Sequence, residues 1–168
     1  LITHQTIIQF LGGNDKMKSV LTMYEKLKDL PFGKKLFTFM VCLNAPYFFS
    51  IKPKITKLKK NRCEVFIKKK RSVTNHIKTV HAIAMCNMAE LSGGLMIEAS
   101  LPKDKQWIPS GMTVQYLKKA ETNLIAVSDG SNIDWNQTGT IIVPVEVKDV
   151  NDQIVFRADI NMYVKERS

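Results

Sequence analysis

Thr79-Val-His-Ala-Ile-Ala-Met-Cys-Asn-Met-Ala-Glu-Leu-Ser-Gly-Gly-Leu-Met-Ile97 is the most apolar stretch of the chain. It lies at the short end of what crosses a bilayer, and it carries His81, Asn87 and Glu90, which a lipid-facing helix would exclude. The stretch therefore reads as a helix buried in protein. A helix apolar on nearly every side has to be enclosed on nearly every side. What encloses it must come from the flanking sequence.

Working outward, the flanks switch to a period of two. Upstream, Cys63, Val65 and Ile67 point one way while Glu64, Phe66 and Lys68 point the other. Downstream the alternation returns at Met112, Val114 and Tyr116, over residues 124–127, at Ile141, Val143, Val145 and Val147, and from Ile154 to Val164, with Asn151-Asp152 as the turn before the last strand. Two strands, a helix, then four strands predict an α+β fold in which an antiparallel sheet wraps one helix, with short connections pairing successive strands. Further upstream, residues 15–43 read as helix, broken in two at Pro31 and Gly33 and ended by Pro46. The expected division is 1–43, an N-terminal segment whose helices pack on the sheet, and 44–168, the sheet and its helix. A curved sheet covers only part of that helix, so the remaining face needs a second subunit or the N-terminal helices.

Composition narrows the classes. With 168 residues, 45% of them hydrophobic and 24% charged, the chain is neither disordered nor collagen-like. Cys42, Cys63 and Cys86 are odd in number and form no C-x-x-C pair, which argues against a disulfide framework or a cysteine zinc site. No secretory signal pattern opens the sequence, and the cytoplasm is the expected address. Twenty-five Lys and Arg against fifteen Asp and Glu give a formal charge of +10, which favours an anionic partner.

Chemistry concentrates in and just before the buried helix. Glu90 lies among Met88, Ala89, Leu91 and the small pair Gly93 and Gly94. A buried carboxylate is costly, and Leu or Met would fill the position without that cost, so Glu90 reads as a functional acid or base. The alternative is a satisfied polar cluster in which Glu90 pairs with a lysine or with Asn87. His81 lies nine residues earlier, which at 100° and about 1.5 Å per residue puts it on the opposite side of the helix and roughly 13.5 Å away. One chain cannot easily bring the two together, whereas two antiparallel copies of the helix in a two-fold dimer would. At the helix start, free N–H groups of Ala82 and Ile83 suit a carbonyl oxygen that becomes negative, with Thr79 as the expected N-cap.

Asn75-x-x-Lys78-x-x-His81-Ala82, with Glu90 nine positions after the histidine, resembles the Asn-x-x-Gly-x-x-His-Gly motif and following acid of hotdog-fold acyl-CoA thioesterases of the phenylacetate-pathway type. The resemblance spans roughly residues 44–164. It implies the hotdog fold, a site between subunits of a homodimer or dimer of dimers, and hydrolysis of an acyl-CoA with no metal or organic cofactor. It also implies roles: Glu90 as nucleophile or general base, the Ala82 N–H as oxyanion donor, and Asn75 and His81 as groups that place the water and thioester. Ile83 and Asn87 would border the substrate, and Phe48, Phe49, Met85, Met88 and Trp107 would wall an acyl slot. Two glycines of the motif are replaced, by Lys78 and by Ala82, so a change in loop shape is expected. The wider wording of the sequence looks most like an uncharacterised branch of the superfamily.

Lys68, Lys69, Lys70 and Arg71, immediately before this loop, would hold coenzyme A phosphates. A second cluster is formed by Lys57, Lys59, Lys60 and Arg62. The plainer account of both is a solvated sheet edge kept from aggregating by lysines. No membrane partner is expected. Nucleic acid is disfavoured because no recognition motif accompanies the charge and aromatics do not interleave with it, though a basic nucleic-acid binder stays as a third reading. The second is a binding module of the same fold that holds acyl-CoA without cleaving it.

Overall fold

The computed structural model describes residues 20–167. Helices α1 (Val20–Leu27) and α2 (Gly33–Asn44) and a 3-10 turn at Pro46–Ile51 lead to strands β1 (Lys54–Lys59) and β2 (Arg62–Ile67). After a short turn at Arg71–Val73 comes the long helix α3 (Ala82–Ser100), followed by β3 (Lys105–Tyr116), β4 (Leu124–Asp129), β5 (Gly139–Lys148) and β6 (Ile154–Glu166). The break between α1 and α2 falls at Pro31 as expected, and the part of the N-terminal helix expected over 15–19 lies outside the described residues.

All six strands form one antiparallel sheet in the order β1-β2-β4-β5-β6-β3. The sequence expectation that successive strands pair needs correction at β3, which is carried to the far edge to pair with β6, while β4 returns beside β2. The reason is geometric. A sheet that curls around a helix can place the first strand after that helix at either edge, and period-two patterning does not specify a neighbour.

One face of the sheet packs on α3. Cys63, Val65 and Ile67 of β2, Ile141, Val143, Val145 and Val147 of β5 and Phe156, Ala158, Ile160, Met162 and Val164 of β6 are buried with Met88, Ala89, Leu91, Met96 and Ile97 of the helix. Gly93 is needed where helix and sheet come closest, since a Cβ there would lie 2.9 Å from Ile160 Cδ1. On the first edge, α2 covers β1: the Ile55 N–H donates to Thr38 Oγ1 at 3.0 Å, and the Thr56 carbonyl accepts from Tyr24 Oη at 3.0 Å and Lys34 Nζ at 2.8 Å. Those bonds satisfy edge groups that would otherwise invite another strand. The opposite edge, β3, has no such cover among the described residues.

Candidate active site

The loop before α3 is built by its own sequence. Asn75 Oδ1 accepts from the N–H groups of Ile77 at 3.2 Å and Thr79 at 3.1 Å, and its Nδ2 donates to Thr79 Oγ1 at 2.8 Å. The Asn75 N–H in turn reaches the Thr79 carbonyl at 2.9 Å, and a bridge between Thr74 and Val80 closes the base. Asn75 thus organises the loop with most of its amide. Lys78, which stands at a glycine position of the motif, has φ 63. That is the left-handed conformation glycine adopts most readily, here taken by a lysine.

His81 caps α3: its Nδ1 accepts from the Ile83 N–H at 3.1 Å. Two expectations are corrected by this. Thr79 is not the cap, because the chain is still extended for two more residues and its hydroxyl is already held by Asn75. The Ile83 N–H is not free, because the imidazole takes it. With Nδ1 accepting from the helix, Nε2 is the ring nitrogen left to meet another group. The Ala82 N–H makes no hydrogen bond among the described residues, and it remains available at the positive end of the helix.

Glu90 is half-buried on a stripe of α3 that the sheet does not cover, formed by Ile83, Cys86, Glu90, Gly94 and Glu98. Strand β3 borders the stripe on one flank. Trp107 lies across Gly94, where a Cβ would come within 3.3 Å of its ring, and its Nε1 donates to Glu98 Oε2 at 2.8 Å. Farther along, Cys86 Sγ lies 3.4 Å from Tyr116 Oη. The described N-terminal helices leave this face open. His81 and Glu90 do not meet: they lie nine residues apart on one straight helix.

On the other flank a pocket of about 180 Å³ opens beside the helix start, lined by Tyr47, Ser50, Ile51, Ser72, Val73, Thr74, His81, Ile83, Ala84 and Asn87. Of the residues expected to wall an acyl slot, Met85 and Met88 are buried in the core, Phe48 and Trp107 are half-buried against it, and Phe49 rests edge-on against Phe39 at the surface. None of them lines this pocket. Ser50 and Tyr47 were not legible in the sequence, since the irregular stretch after Pro46 has no periodicity to place them.

The cations expected to hold phosphates are partly engaged elsewhere. Lys70 is pushed down by partial burial and by the nearby Lys52 ammonium, a pairing of like charges that an anion would relieve. Lys69 is engaged elsewhere, its Nζ donating to the Glu121 carbonyl at 2.8 Å, while Lys68 and Arg71 are exposed. In the other cluster, Arg62 and Lys57 pair with Glu64, and Arg62 also with Asp129. Among the described residues no group of three or more His, Cys, Asp or Glu side chains could hold a metal ion, and no helix is long and apolar enough to cross a membrane.

Residues 33–164 match a family described as a domain of unknown function, DUF4442. No curated protein matches the chain. Among solved structures, a structural-genomics target is 46% identical with a TM-score of 0.80, covering 88% of this chain and 99% of that one. A Pseudomonas aeruginosa protein of unknown function, described as a probable thioesterase, is 14% identical with a TM-score of 0.69, covering 82% of this chain and 97% of its own. A thioesterase of Haemophilus influenzae is 12% identical with a TM-score of 0.66, covering 76% and 87% respectively. At these identities the last two share the fold, the hotdog arrangement of a sheet wrapped on a central helix.

Proposed function

Because the chain belongs to the DUF4442 family and has the hotdog fold of thioesterase-named proteins, we propose that it hydrolyses the thioester of an acyl-CoA at a site completed by two copies of α3. The observation that carries this reading is the half-buried carboxylate of Glu90 on the same uncovered stripe as a helix start whose Ala82 N–H is unoccupied. In an antiparallel pair of helices, the carboxylate of one copy faces the helix start of the other. The uncovered β3 edge beside that stripe gives the second copy a strand to continue.

The chemistry then divides among these residues. The thioester carbonyl oxygen accepts from the Ala82 N–H, where the helix dipole stabilises the charge that develops. Glu90 of the other copy takes a proton from water as its oxygen bonds to the carbonyl carbon. The carbon–sulfur bond breaks, and the thiolate leaves with the proton supplied from Glu90 or solvent. Direct attack by the carboxylate, followed by hydrolysis of the anhydride, reaches the same products. His81 caps the helix through Nδ1, which leaves its Nε2–H for the water or thioester, and Asn75 holds the loop. Lys52, Lys68, Lys70 and Arg71 suit the phosphates of coenzyme A.

Glu90→Gln tests the reading. Hydrolysis followed by thiol release is expected to fall by about 10²–10⁴, the usual contribution of a positioned acid or base, with the dimer and melting temperature retained. Undiminished activity would end the assignment. The second reading, an acyl-CoA binder that does not cleave, is favoured by one observation: the His81 side chain consumes the Ile83 N–H, leaving a single backbone donor at the helix start. Tight acyl-CoA binding without released thiol would select it.

A further inference from the structure

The pocket beside α3 contains a polar group that no described residue satisfies. Asn87 is only 5% exposed among Ala84, Met88 and Leu91, and its Nδ2 donates to Ser50 Oγ at 3.1 Å. Its Oδ1 is, among the described residues, the one buried side-chain nitrogen or oxygen without a hydrogen-bond partner. A leucine or methionine would fill this position with no such cost, and buried acceptors are nearly always paired. The residue lines the pocket, so the missing partner belongs to whatever enters.

Resting on the thioesterase reading, we propose that this pocket selects an acyl group carrying a hydroxyl, which Asn87 and Ser50 bind together. The hydrogen bonding fits a hydroxyl and not its neighbours in chemistry. Asn87 Oδ1 requires a donor, so a ligand ketone or ether would present oxygen to oxygen. Ser50 Oγ already accepts from Asn87, so its own O–H is left to donate. A hydroxyl donates to the first and accepts from the second. An ammonium would also donate to Asn87 Oδ1, but it has no lone pair to accept the Ser50 O–H.

Size and position make it the acyl end. At about 180 Å³ the pocket is smaller than the roughly 300–1,000 Å³ that enclose whole drug-sized ligands, so it holds part of one. Ile51, Val73, Ala84 and Asn87 of its lining are buried, which suits a chain terminus. The pocket runs from His81 at the helix start to Asn87, about 7.5 Å along the axis beyond Ala82, so a short acyl chain can enter it with its carbonyl near the helix start.

Short straight-chain acyl-CoA esters, each with and without a hydroxyl walked along the chain, test this on the full-length protein. At least one hydroxylated ester should exceed its parent in kcat/KM by about tenfold or more, because a site built around a hydrogen bond discriminates against the analogue lacking it. Asn87→Leu should bring that ratio to about one, and Ser50→Ala, at an exposed position that does not endanger folding, should lower it. Equal rates for every pair, or a preference that survives both substitutions, would overturn the proposal and mean that only water occupies the site. If no ester is cleaved, calorimetry with non-hydrolysable thioether analogues makes the same comparison in Kd. A hydroxyl preference there upholds the pocket while the hydrolase reading fails, and its absence overturns the pocket.

Discussion

Lys78 shows how much a motif residue says and where it stops. At a position where the motif has glycine, the chain takes the left-handed conformation, φ 63, with a lysine. For an L-residue the left-handed region costs roughly 1–2 kcal/mol, while glycine loses about 0.5–1 kcal/mol more backbone entropy on folding. Lys78→Gly is therefore expected to raise stability by no more than about 1 kcal/mol in urea unfolding, with the Asn75 loop unchanged. A clear loss of stability would mean that the lysine side chain holds the loop itself. Asn75, His81, Ala82 and Glu90 stand out in the sequence by their spacing, and of these the structure shows Asn75 holding the loop and His81 capping the helix. The cap was not legible: Thr79 and His81 are both capable acceptors, and which one caps depends on where the chain turns helical. Ser50 was invisible for a different reason, since its role arises only from a contact 37 residues away.

At the scale of elements, periodicity gave the helix, the strands and the break near Pro31, since burial on one face leaves a repeat in the sequence. It gave neither the strand order nor the covering of the edges. Tyr24, Lys34 and Thr38 look like ordinary helix residues, yet together they satisfy Ile55 and Thr56 on β1. Thr38 and the Ile55 N–H are both buried, so Thr38→Val leaves that N–H without a partner in a shape-matched site. The expected loss is about 1–3 kcal/mol of unfolding free energy, the cost of an orphaned buried donor. Chemical denaturation of the variant checks it, and a change below about 0.5 kcal/mol would show that α2 adds nothing to the edge beyond apolar packing. Hydrolysis in the variant should be retained wherever it is folded, because β1 lies at the edge farthest from β3.

For the whole molecule, the proposed pairing of two helices fixes a symmetry axis by counting. If Glu90 of one copy lies beside Ala82 of the other, antiparallel helices cross at the midpoint of 82 and 90, which is residue 86. Cys86 sits on the uncovered stripe, so the two Cys86 side chains should lie next to each other across the two-fold, on helices about 8–10 Å apart. The other thiols do not interfere. Burial pushes Cys42 up to about 11 and Cys63 up to about 12, and both side chains are inaccessible, so neither forms thiolate near neutrality. Native protein should thus show one reactive thiol of three with a colorimetric thiol reagent, and a short bis-maleimide should convert the chain to a covalent dimer. Cys86→Ser should abolish both results. Efficient labelling of Cys86 with no cross-link, in protein that light scattering shows to be dimeric, would place the two-fold elsewhere. Glu90 would then be out of reach of the other copy's helix start, and the carboxylate would have to act within its own chain, where nine residues of straight helix hold it away from His81.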